Sequence, residues 1–153
     1  MSTDLFFFDL TQRPPRSPRI KLGGYVLLPR ILDKGRASLA GKLGEYHYKG
    51  AGMDRHFFNF TGIDHEALTK EIAKGLSDSE LLAWIQANAK HQRQPWEIIA
   101  WSEYHLHRGP DSDAETMEFF ANEVKKFGPA REDINTWFDL IDLDDYCSFG
   151  GKA

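Results

Sequence analysis

The sequence predicts an all-α fold, a single-domain bundle of six or seven helices with an extended Pro/Arg-rich N-terminal segment. Three observations carry that prediction. Helix start signals recur along the chain, apolar residues behind each of them repeat at helical spacing, and no stretch shows the sustained alternation that paired strands need. At 153 residues, with 41% hydrophobic and 13% aromatic residues, the chain can bury one core without disulfide staples. The expected division is an arm over residues 1–28, packed on a helical core over 29–146, and a tail over 147–153.

In the arm, Leu5, Phe6, Phe7, Phe8 and Leu10 surround Asp4 and Asp9 as a short apolar anchor. Pro14, Pro15 and Pro18 then impose an extended course, because proline fixes its own φ and disfavours helix in the residue before it. On a polyproline II path of three residues per turn, Arg13, Arg16 and Arg19 project from one side as a row of guanidinium groups. Gly23-Gly24 breaks the chain again, and Pro29 is placed to open a helix that ends near Gly41. Ile31, Leu32, Gly35 and Leu39 form its inner face, leaving Arg30, Asp33, Lys34 and Arg36 for other faces. Glu45-Tyr46-His47-Tyr48 is a short strand or an extended connector.

The remaining helices are punctuated by caps. Asp54 caps a short helix through Phe57, Phe58 and Phe60, and Asp64 caps the next, with Ile63 and Leu68 as a hydrophobic staple and Gly75 beyond its end. Ser77 with Glu80 forms a capping box, Leu76 and Leu81 repeat the staple, and Leu82, Ile85 and Ala89 make a stripe. Pro95 opens a helix whose Ile98, Trp101, Ser102 and His105 share a face, closed by Gly109-Pro110. Ser112 with Glu115 is a second box, ahead of Met117, Phe120, Val124 and Phe127. Ile134, Trp137, Phe138 and Ile141 mark the last helix, and an acidic stretch leads into an irregular end at Ser148 to Gly151.

Charge divides the chain. Residues 1–60 hold ten Lys and Arg against five Asp and Glu, and residues 61–153 hold nine against eighteen. A basic N-terminal third lying against an acidic C-terminal part is the favoured arrangement in one fold, since unpaired like charge opposes compaction. The pI near 5.8 argues against a nucleic-acid binder. No run approaches a membrane span, and the single Cys147 with no secretory leader points to the cytoplasm.

The segments D-L-T-Q-R-P-P-R-S-P-R (Asp9 to Arg19), L-G-G-Y (Leu22 to Tyr25), L-P-R-I-L-D-K-G-R-A-S-L-A-G-K-L-G-E-Y-H-Y (Leu28 to Tyr48), F-T-G-I-D (Phe60 to Asp64) and W-F-D-L-I-D-L-D-D-Y (Trp137 to Tyr146) carry a resemblance. On them the sequence resembles a family of bacterial proteins described as a domain of unknown function. The resemblance covers nearly the whole chain. It implies a bacterial single-domain protein, and it brings no activity, substrate or catalytic residue with it.

Two groups of residues are candidates for chemistry. Arg13, Arg16 and Arg19, with Lys34 and Arg36, suit a phosphate or carboxylate, because guanidinium offers fixed bidentate donors and stays charged. Gly23-Gly24 and the start of the Pro29 helix would let backbone N–H groups approach the same anion. The competing account has these cations paired with Asp139, Asp142, Asp144 and Asp145, fastening the two ends of the chain. Glu45, Tyr46, His47 and Tyr48 supply the groups for proton transfer if they turn into a cleft, and are otherwise half-buried tyrosines beside a solvated Glu and His.

No metal or cofactor is expected. His105 and His107 stand about 200° apart around a helix, and Asp142, Asp144 and Asp145 lack the glycine and terminal Glu of a calcium loop. Acidic neighbours disfavour a thiolate at Cys147. The sequence leaves enzymatic activity open. Its leading functional expectation is a small anionic metabolite bound between the N-terminal segment, the Pro29 helix and residues 45–48. The alternative is a protein-interaction or homo-oligomerisation module using the Pro/Arg arm, favoured if aromatic residues are exposed.

Overall fold

Everything in the molecule is arranged around one helix that has no solvent face. This helix, α1 (Leu28–Leu39), is buried at every residue from Leu28 to Ala37, charged positions included. The computed structural model describes residues 8–153. Six further helices follow: α2 (Arg55–Thr61) after a single 3-10 turn at Gly52–Asp54, α3 (His65–Ile72), α4 (Asp78–Asn88), α5 (Pro95–His107), α6 (Ala114–Phe127) and α7 (Trp137–Ser148). Helix accounts for 55% of the described residues, and no strand occurs among them. The all-α prediction therefore stands. No helix among the described residues is long and apolar enough to cross a membrane.

The N-terminal segment is irregular, with turns at Thr11–Gln12 and Pro18–Arg19 rather than one continuous extended path. The anchor expected at Leu5 to Phe7 lies outside the described residues. Leu10 is buried, and its N–H donates to the Lys42 carbonyl at 2.9 Å, tying the segment to the chain beyond α1. Gly23 (φ 60°) and Gly24 (φ 86°) make a tight reversal closed by two Leu22–Tyr25 backbone hydrogen bonds of 3.0 and 3.1 Å. Positive φ at both central residues is what such a reversal demands. The glycines were expected to admit an anion. Instead they admit other helices: a Cβ on Gly23 would fall 2.5 Å from Leu82 Cδ1, and one on Gly24 would fall 3.1 Å from Ile98 Cγ2.

Chain entry into α1 is strained at Leu27, whose φ of 71° is left-handed and costs a non-glycine residue about 1–2 kcal/mol. Its surroundings hold it there. The Leu27 N–H donates to the Pro18 carbonyl, its own carbonyl accepts from Ile31, each at 2.9 Å, and its side chain is buried. Pro29 sits within the first turn, where a missing N–H is harmless, and Gly41 (φ 68°) follows the last turn.

Around α1 the main core gathers Val26, Leu28, Ile31 and Leu32 with Phe57, Leu68, Ile72, Leu81, Ile85 and Phe138. A second cluster, Phe120, Ile134, Leu140 and Leu143, joins α6 to α7. Local caps fix the helix starts. Asp64 accepts from the Ala67 N–H, Ser77 and Glu80 form a capping box, and Thr136 forms another with Asp139. Two expected caps need correction. Asp113, not Ser112, caps α6 by accepting from the Thr116 N–H, because it stands one residue nearer the helix. Asp54 makes no capping bond to α2, since its carboxylate is taken by Lys34.

Candidate functional site

Lys34 and Arg36 of α1 belong to the site predicted from sequence, and like Arg30 and Asp33 of the same helix they do not face solvent. Burying an ion costs several kcal/mol unless a partner and further hydrogen bonds offset it, so each buried charge must find its complement. Asp33, fully buried, accepts from the Arg16 backbone N–H (2.9 Å), Nε (3.0 Å) and Nη2 (3.0 Å). Arg16 also reaches Asp78 at 2.7 Å, and Arg36 donates to the same carboxylate at 2.8 Å. Arg36 lies 3.8 Å from Asp33 as well, which closes a ring of two arginines and two aspartates between the N-terminal segment, α1 and α4.

Burial opposes the Arg16 cation, but hydrogen bonds to Asp78 and Asp33 outweigh it and hold the guanidinium above its usual range. Burial likewise raises Asp78, and the Arg16 and Arg36 hydrogen bonds more than reverse this, leaving its carboxyl below the ordinary value. Arg30 donates to both Asp145 oxygens, at 2.8 and 3.2 Å, and Lys34 pairs with Asp54. Arg19 engages Asp139 and Asp142 on α7. Ser17 adds a 2.8 Å bond to Asp142. The basic N-terminal third thus contacts the acidic C-terminal helix within one molecule.

The expected row of arginines does not form, because the turns along the segment send each guanidinium to a different place. Arg13 lies over the Phe8 ring at 4.2 Å, Arg16 turns inward to α1 and α4, and Arg19 lies against α7. Lys34 and Arg36 are on α1, at separate partners. Residues 45–48 are divided as well. Tyr46 donates to Asp145 at 2.7 Å, and burial followed by that bond pushes its phenol up. Tyr48 is buried, shares a 2.7 Å hydrogen bond with Thr69, and packs against His65. Glu45 and His47 are exposed. Glu45 and Tyr46 line one cavity, whereas Tyr48 is turned into the core.

Open space lies where the N-terminal segment and residues 44–46 meet α6 and α7. Three adjoining cavities of about 360, 340 and 680 Å³ surround the C-terminal half of α7. The first is lined by Pro14, Pro15 and Ser17 against Asp142, Tyr146 and Phe149, and it shares Asp142 and Tyr146 with the second. The largest of the three is lined by Leu10, Tyr46, Phe127 and Phe149 together with Glu45, Glu123, Asp144 and Lys126. Among the described residues those three carboxylates make no ion pair. The sequence flagged Asp144 and Glu45 but not Phe149, Phe127 or Glu123, which meet here only through the packing of α6 on α7.

Fold and site together define a small helical domain with a self-neutralised ionic core and an acidic, aromatic groove on one side. The chain belongs to the family described as "Domain of unknown function (DUF5069)", whose model matches residues 12–147. No curated protein is significantly similar to it.

Proposed function

We propose that this protein is a non-catalytic protein-interaction module, and that the groove between the N-terminal segment, α6 and α7 receives a basic, apolar segment of another protein. One contrast carries the proposal. The cations of the N-terminal segment and α1 that point inward are answered by the chain's own carboxylates, whereas the groove is lined by aromatic rings and by carboxylates that, among the described residues, make no ion pair. A small anion bound at Arg16, Lys34 and Arg36 would have to displace Asp33, Asp54 or Asp78, while a Lys or Arg side chain entering the groove meets complementary charge. Exposed apolar side chains add support: Tyr146 is 55% exposed beside the groove, and Trp96, Ile99 and Tyr104 line the outer face of α5. The setting proposed is a bacterial cytoplasm, on the family resemblance and on a lone, unpaired Cys147.

Selection from a library of displayed random peptides tests the proposal. Enriched peptides should combine Lys or Arg with Leu, Phe or Trp. Their affinity should fall with added salt and weaken about tenfold in Glu123→Gln/Asp144→Asn and in Phe149→Ala. Absence of enrichment, enrichment of acidic peptides, or indifference to both variants would overturn it. Self-association lost in Phe149→Ala would replace the foreign partner with a second copy of this chain.

A further inference from the structure

A second concentration of polar groups, sharing no residue with the groove, lies between the 3-10 turn, α2 and the end of α5. His105 is 3% exposed, and among the described residues its Nδ1 has no hydrogen-bond partner. The His56 ring stands 4.9 Å away, centroid to centroid, and its Nε2 is also buried and unpartnered. Trp101 packs edge-on against His105 at 4.6 Å, so the imidazole is held in position by its own helix.

Arg108 completes the cluster. It is half-buried, three residues beyond His105, and its Nη1 reaches across to the Met53 sulfur at 3.9 Å, a weak acceptor. Its backbone is anchored, because its carbonyl accepts from the Trp137 N–H at 3.0 Å. Neither Arg108 nor the adjacent Arg55 makes an ion pair among the described residues; Arg55 donates only to the Gly52 carbonyl at 2.7 Å. Elsewhere in this molecule a buried cation is met by an aspartate. Here, among the described residues, two buried imidazole nitrogens without partners lie within electrostatic reach of a guanidinium that makes no ion pair, and unpartnered buried nitrogens forfeit both hydration and a hydrogen bond.

We propose that His56, His105 and Arg108 bind a phosphate group, either free or carried on a monoester. A neutral imidazole with its proton on the unpartnered nitrogen donates to a phosphate oxygen without being charged, and the guanidinium fork offers paired donors to the remaining oxygens. Electrostatics favour an anion over a cation. His105 is depressed to about 4 by burial, then by His56 and Arg108, and His56 is lowered by burial, then by Arg55 and Arg108. A metal would meet the same positive field, and among the described residues no three of His, Cys, Asp and Glu come together as a ligand set. Met53, His56, Trp101 and Arg108 belong to three separate elements, so no local motif announces the site.

The test follows the imidazole ¹⁵N resonances of the full chain during titration with inorganic phosphate, with glycerol phosphate, and with sodium chloride at matched ionic strength. His56 and His105, alone among the six histidines, should shift saturably with phosphate and not with chloride. Arg108→Gln should weaken that binding by about tenfold or more, and His56→Gln should weaken it similarly while the other histidine signals report an intact fold. Tighter binding of glycerol phosphate would identify a monoester as the source, and tighter binding of the inorganic ion would identify free phosphate. Overturning results are shifts equal to those with chloride, no saturable shift, phosphate binding unchanged in Arg108→Gln, or saturable binding of zinc in place of phosphate.

Discussion

Replacing Asp33 by Asn removes one negative charge from the centre of the molecule at almost constant volume. The carboxylate now accepts from three donors of Arg16 and lies 3.8 Å from Arg36. Asparagine keeps one acceptor oxygen and turns an NH2 group toward guanidinium donors, so at least one charge-assisted bond is lost and a donor faces a donor. Losing a hydrogen bond to a charged group costs about 1.5–3 kcal/mol, and breaking a buried ion pair costs about 3–5 kcal/mol. Asp78 still answers both arginines, which puts the expected loss at the lower end of the second range, about 3 kcal/mol. For a domain of this length that lowers Tm by about 6–12 °C. Urea unfolding followed by far-UV circular dichroism measures it, with the slope m unchanged if only stability moves. A loss below about 1 kcal/mol would refute the claim that this ionic ring holds α1 in place.

Three more outcomes are expected. Arg13→Ala, which removes only a cation resting on the Phe8 ring, should change stability by less than about 1 kcal/mol in the same urea titration, in contrast to Arg16→Ala. Gly44→Ala should cost about 1–3 kcal/mol, because φ there is 59° and the new Cβ would lie 2.8 Å from the Leu10 carbonyl oxygen; Gly41→Ala, at φ 68° in open space, should cost only about 1 kcal/mol. His105, held to about 4, stays neutral in the fold while the unfolded chain protonates near the ordinary value of 6.5. Its contribution is therefore fully present above about pH 6.5 and is lost as pH falls toward 4, by about 2 kcal/mol near pH 5. Urea titrations in phosphate-free buffer, compared with His105→Gln, check this; an equal pH slope in the variant would refute it.

Helix positions were legible where their determinants are local. Ser77 with Glu80, Asp64 with its staple, and Pro95 are read within a few residues, and their helices form as expected. The faces of α1 were not legible. Periodicity leaves Arg30, Asp33, Lys34 and Arg36 for faces other than the inner one, yet apart from the 3.8 Å approach of Arg36 to Asp33 their ionic partners stand 17 to 115 residues away, and no rule of helical spacing carries that information. The opposite charge of the two halves did show that such partners exist. Ser112 and Asp113 are both competent caps one position apart, so composition alone could not choose between them. The Thr136 box escaped notice because Asp139 stands where Glu or Gln is usual. His105 and His107 lack ligand spacing on their helix, but spacing is a property of single helices and says nothing about side chains meeting from two, as His56 and His105 do.

The Arg30–Asp145 pair sets a schedule for making the protein. The two residues are separated by 115 positions, so at about 5–20 residues per second Arg30 leaves the ribosome's active centre roughly 6–23 s before Asp145, its carboxylate partner among the described residues, is translated. During that interval α1 has a charge that it cannot bury at tolerable cost, and Arg19 waits equally for Asp139 and Asp142. The central helix therefore cannot settle on a nascent chain. Folding is deferred until α7 has emerged, and a message truncated before Asp139 yields a product whose middle stays open to proteases.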